Sequence, residues 1–155
     1  MESHDDFYKK ALTSFKTADH LVYVTFNVVR DHKIILTALE NLSNSLTNGM
    51  NAILEYERLY KRIMPLADNF ESRFDVFKKV FEKYGFSNEE MSLIVDLKKF
   101  LEERKDAPLE FTRSNKVVIC YDNYKMRSVS LDDAKKYLST TKTFLFKVNK
   151  VLKNV

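Results

Sequence analysis

A chain of 155 residues with 45% hydrophobic and 31% charged side chains, but only two glycines and two prolines, has the make-up of one helical domain with its own core. That composition argues against a sandwich, a barrel or a disordered chain. The single cysteine, Cys120, excludes an internal disulfide and any zinc cluster built on cysteines, and it suits a reducing cytoplasm.

No apolar run approaches the roughly 18 residues a membrane span needs, and the opening MESHDDFYKK lacks a signal-peptide core. A cytoplasmic protein with no membrane partner is expected. Its net charge of +4 is unevenly placed: residues 1–96 carry 12 Lys and Arg against 15 Asp and Glu, and residues 97–155 carry 14 against 7. The halves therefore stand at −3 and +7. A basic C-terminal third permits an anionic partner without demanding one.

Residues 5 to about 29 form the first predicted helix. Tyr8, Ala11, Leu12, Phe15, Ala18, Val22, Phe26 and Val29 make its buried stripe, with Asp19 set inside that stripe. A buried carboxylate needs a partner, and without a second positioned group it reads as structural rather than catalytic. The later half, LVYVTFNVV, is apolar almost all round and is expected at the centre of the bundle, with a strand as the minor alternative. Arg30-Asp31-His32 reads as a tight connection or a kink before the second helix. The histidines His4, His20 and His32 have no metal-ligand spacing, and no inward Glu-x-x-His is present, so neither a metal nor a cofactor is expected.

The second helix, Lys33 to Lys61, is the predicted spine. Ile35, Leu39, Leu42, Leu46, Met50, Ile53, Tyr56 and Tyr60 fall on one side at helical spacing. Opposite them lie Thr37, Asn41, Asn44, Asn48, Asn51 and Glu55, a nearly uncharged seam. This seam reads as a solvated face, as a second packing face against the chain or another copy, or as an amide ladder for a ligand. Of these residues, Asn41, Asn44, Asn48 and Asn51 are the candidate homodimer interface. Gly49 costs about 1 kcal/mol in mid-helix and so marks a close helix crossing.

Pro65 is expected to stop this helix, and Asp68 or Asn69 to cap a third carrying the stripe Phe70, Phe74, Phe77, Val80 or Phe81, and Tyr84. Gly85 ends the third. Ser87-Asn88-Glu89-Glu90 is a capping box for a fourth, which turns Met91, Ile94, Leu97 or Lys98, and Leu101 inward and stops at Pro108. The period then changes to two, and residues 116–129 read as a hairpin turning at Asp122-Asn123. Ser130 and Asp133 cap a fifth helix that buries Ala134, Leu138, Thr141, Leu145, Val148 and Leu152. Its Lys135, Lys136, Lys142, Lys147 and Lys150 read chiefly as a solvated face.

The fold expected is thus mainly α: one domain over 1–155, an antiparallel bundle of four to five helices with a short β-hairpin between the last two. No catalytic residue emerges. Cys120 has no histidine after it and reads as a small buried side chain. Arg104, Arg113, Lys116, Lys125 and Arg127 are the candidate anion-binding residues.

This order of helices, with the phrases AILEYERLYKRI, FESRFDVF and APLEFTRSNKVVICYDNYKM, resembles the HEPN superfamily of small helical bundles, many of them prokaryotic and dimeric, and is similar to uncharacterised archaeal helical proteins. Active members of that superfamily cut RNA with Arg-x(4–6)-His. Here the first arginine, Arg30, stands two positions before the last histidine, His32, and Leu109, Glu110 and Phe111 follow Arg104 where histidine would be needed. The resemblance therefore implies a member without the nuclease chemistry: a homodimeric binding module for nucleotide, RNA or a protein partner. A degenerate RNA-processing enzyme and a purely structural interaction protein are the alternatives.

Overall fold

Helical periodicity in the first half of the chain produces one long helix, Lys33–Leu59 (α3), at the centre of a computed structural model that describes residues 2–121, 123 and 125–153. Only Lys33, Thr37, Glu40, Asn44 and the last residue, Leu59, are exposed along it, so the other elements wrap it almost completely. Before it come α1 (His4–His20), a π-turn (Leu21–Thr25) and α2 (Phe26–Val29), which run on as one helical rod and fold back along α3. After it come α4 (Phe70–Val80), a 3₁₀ turn (Glu82–Tyr84) and α5 (Asn88–Asp106). A small antiparallel sheet follows in the order β1 (Leu109–Arg113), β2 (Lys116–Cys120), β3 (Met126–Ser130), and α6 (Leu131–Leu152) closes the bundle. The mainly α architecture with a short hairpin is as expected. Among the described residues no helix is long and apolar enough to cross a membrane.

Local chemistry sets most of the boundaries. Ser3, Ser87 and Ser130 each cap a helix through a reciprocal capping box with Asp6, Glu90 and Asp133. Asn69, rather than Asp68, caps α4 by accepting from the Ser72 amide. Ser130 is also the last residue of β3, paired with Lys116 of β2, so strand and helix share it.

The core is densest where α3 meets α6. Phe144 of α6 is fully buried, with Phe77 edge-on to it and Phe86 tilted against it at centroid distances of 6.3 and 5.0 Å. A Cβ placed on Gly49 would lie 2.7 Å from the Phe144 ring, so only glycine lets the two helices approach this closely. Burying a phenylalanine contributes roughly 1.5–3 kcal/mol, which outweighs the helix cost of one glycine.

Several expectations are corrected. The stripe of the first helix breaks after Phe26: Val29 is exposed, and Tyr23, Val24 and Val28 also face outward, so LVYVTFNVV is not sunk in the bundle. The π-turn is the reason, since its wider turn shifts the phase of every residue beyond it. Asp19 is exposed and outside the stripe. In α3, Glu55 is buried rather than outward, paired with Arg58 and Arg73, and Tyr60 is 54% exposed.

The spine stops at Leu59, well before Pro65. There the Arg62 and Lys61 amides donate to the Glu57 and Arg58 carbonyls, and Lys61 takes the left-handed conformation (φ 57°) that a glycine usually fills. The hairpin has a third strand, β1, joined to β2 by a two-residue turn at Ser114 and Asn115, both with positive φ as in a type I′ turn. At the predicted Asp122-Asn123 turn, Asp122 and the neighbouring Tyr124 lie outside the described residues.

Two substitutions test this account in urea titrations. Gly49→Ala gains helix propensity but overpacks Phe144, and is expected to destabilise by about 1–2 kcal/mol. Lys61→Gly removes a left-handed non-glycine residue and is expected to stabilise by about 1 kcal/mol; a loss of stability there would refute the proposed helix end.

Candidate functional site

The end of α3, the 3₁₀ turn and the last third of α6 meet around an open cleft of about 850 Å³. Each wall follows from local sequence. The reversal at Lys61 carries Arg62 back over its own helix, where its Nε donates to Glu57 Oε2 at 3.0 Å and its guanidinium lies over the rings of Tyr56 and Tyr60 at 5.5 and 4.9 Å. On α6, Thr143, Phe146, Lys147, Lys150 and Val151 recur at spacings of three and four, so one face of the helix lines the cleft. The 3₁₀ turn, closed by Gly85 at φ 78°, supplies Lys83 and Tyr84.

Two buried carboxylates hold these cations in place. Glu57 is 1% exposed and accepts from both Arg62 and Lys83, the latter also at 3.0 Å. Glu90 is 2% exposed; its Oε1 accepts from the Ser87 amide at 2.8 Å and from Lys147 at 2.5 Å. Its Oε2, like the buried Tyr84 hydroxyl, has no hydrogen-bond partner among the described residues. Lys150 makes no ion pair among those residues. Four cations against two carboxylates leave the cleft positive, and the ion pairs restrict Arg62, Lys83 and Lys147 before any ligand arrives. Beside them stands Phe146, 63% exposed. Fixed cations next to an exposed ring suit a ligand that carries both anionic oxygens and a flat surface.

The candidate anion-binding residues do not gather. Arg104 is tied to Glu110 and Glu40, each at 2.8 Å, and the Glu110 hydrogen bond holds its guanidinium in the charged form against the opposing effect of burial. Arg113 and Lys116 face each other across the type I′ turn, beside a small hollow floored by Phe111, Val118 and Met126 on the outer face of the sheet. Lys125 lines another hollow with Lys99, Glu103 and Tyr121. Arg127 is on the bundle side of β3, over Phe100 at 4.9 Å. Nearby, burial pushes the Tyr121 and Tyr137 hydroxyls up, helped at Tyr121 by Glu103 and at Tyr137 by Asp133, while Arg127 opposes both shifts.

The amide seam is also divided. Asn41 and Asn48 donate to the Thr37 and Asn44 carbonyls of their own helix at 2.9 Å, and Asn51 accepts from Arg73 at 3.2 Å. Of the four, only Asn44 is exposed, in a groove it shares with Glu40 and Arg104. Cys120 is half-buried on the sheet. Among the described residues no group of His, Cys, Asp and Glu could hold a metal.

Of the cleft residues, Lys147 and Lys150 read in the sequence chiefly as a solvated face and Glu90 as part of a capping box, while Glu57 has no assigned role there. One signal lies in the spacing: Glu57 continues the helical run of Leu46, Met50 and Ile53, an inward position where a carboxylate needs a cation. Comparison with known proteins found nothing similar: no family model, curated protein or solved structure matches the chain.

Glu57→Gln is expected to free Arg62 and Lys83 and to destabilise the fold by about 1–3 kcal/mol in urea titrations. An unchanged midpoint would show that the pairs do not hold the cleft together.

Proposed function

We propose that this protein is a non-enzymatic binding module of HEPN-like kinship, and that its cleft takes a ligand bearing phosphate and a planar base, a nucleotide free or within a single strand. The observation that carries this reading is the set of cations pinned by Glu57 and Glu90 beside Phe146 and Tyr84. Phosphate oxygens would meet Lys83, Lys147 and Lys150, and the base would lie on Phe146. Glu57 and Glu90 each bind a cation, which favours a positioning role for them over acid–base chemistry. The resemblance to dimeric, prokaryotic helical bundles supports a homodimer, and the single thiol supports a cytoplasmic location.

Calorimetry with AMP, ADP and a short single-stranded RNA tests this reading. Binding is expected to weaken with added salt, and to fall at least about tenfold in Lys150→Glu combined with Phe146→Ser, since both side chains are exposed and the fold should survive. Arg113→Ala with Lys116→Ala should leave it unchanged. Absence of binding to all three probes, or full affinity in the cleft variant, would refute the site; cleavage of the RNA would refute the non-enzymatic role.

A further inference from the structure

The aromatic rings around the cleft are not equivalent. Tyr56 and its neighbour Tyr60 carry the Arg62 guanidinium on their rings, and Tyr84 carries the Lys83 ammonium at 5.1 Å, so these three are already engaged. Phe146 is 63% exposed and has no ring or cation against it among the described residues. A groove that tracks a single strand stacks successive bases on successive rings. This cleft offers one free platform, and its volume of about 850 Å³ lies within the roughly 300–1,000 Å³ of a site for one small molecule.

Charge is as local as the ring. Arg62, Lys83, Lys147 and Lys150 stand against Glu57 and Glu90, which leaves two positive charges in excess. No Asp or Glu lines the surface of the cleft among the described residues. Phe146 and Lys150 are one turn apart on α6, about 5–6 Å between their Cβ atoms, so the free ring and this cation lie within the span of one nucleotide.

We infer that the ligand carries a terminal phosphate, a monoester on one nucleotide that is either free or at the end of a strand, and that the cleft passes over the diesters inside a strand. A monoester bears close to two negative charges at neutral pH, because its second ionisation falls at roughly pH 6, whereas a diester bears about one. The monoester therefore matches the excess, and a diester leaves one cation enclosed without an anion. Oxygen count points the same way: a monoester presents three acceptor oxygens to Lys83, Lys147 and Lys150, where a diester has lost one to the chain. On the same wall Tyr84 adds a hydroxyl that has no partner among the described residues.

The inference rests on the nucleotide reading, and the test separates their failures. Calorimetry compares 5′-AMP with its methyl ester, a diester of the same base and sugar, and a short 5′-phosphorylated RNA with the same RNA ending in a 5′-hydroxyl. AMP is expected to bind at least about tenfold more tightly than the ester. The phosphorylated RNA exceeds its hydroxyl counterpart by a similar factor if strand ends are the source, and neither RNA binds if the free nucleotide is. Lys150→Gln halves the excess charge at an exposed position, so the preference for AMP should fall from tenfold to about threefold with the circular dichroism melt unchanged. Equal affinity for AMP and its ester, or an RNA that binds as well without its phosphate, would overturn the terminal phosphate and leave the nucleotide reading standing. A preference that survives Lys150→Gln in full would overturn the charge match that carries it. Failure of every probe to bind would sink both.

Discussion

The close approach of α3 and α6 at Gly49 is the constraint the rest of the structure depends on. With no side chain there, the Phe144 ring lies against the α3 backbone, and Phe77 and Phe86 close around it from α4 and from the segment just before α5. A larger residue would push α6 outward, and with it every side chain α6 shows to the cleft. The helix cost of a mid-helix glycine is small beside a ring buried on all sides.

The same crossing sets where charge can be held. Because α6 lies close to α3, and α5 beside both, Glu90 at the start of α5 reaches Lys147, while Glu57 in the last turns of α3 faces the 3₁₀ turn carrying Lys83. Carboxylates this deeply buried are costly unless paired, and each has at least one cation at hydrogen-bonding distance. Their partners reach outward from the protein and are partly exposed. The positive cleft is therefore a product of how the core closes at that end of the bundle.

How much of this was legible in the sequence follows from the range of the interactions involved. Capping boxes at Ser87 and Ser130, the apolar stripe of α3, the crossing at Gly49 and the hairpin strands are encoded within a few residues, and they were read correctly. The end of α3 was misplaced because a left-handed Lys61 carries no sequence signal, whereas Pro65 does. Strand β1 was missed because Ser114-Asn115 is a weak turn pair and its apolar residues, Leu109 and Phe111, face away from the bundle. The π-turn shifted Val29 out of the predicted stripe, and no local pattern announces such a turn. The cleft was the least legible part: its cations come from residues 62, 83, 147 and 150, brought together only by tertiary packing.

Ser130 belongs at once to the β2–β3 ladder and to the cap of α6. Sliding β3 by one position would move the cap with it and turn α6 about its own axis by roughly 100°. Lys147 and Lys150, some 17 to 20 residues further along, would then swing away from Glu90 and the opposite wall. The little sheet thus works as an indexing pin: hydrogen bonds at one end of the molecule fix the angular setting of a helix whose far end forms one wall of the cationic cleft.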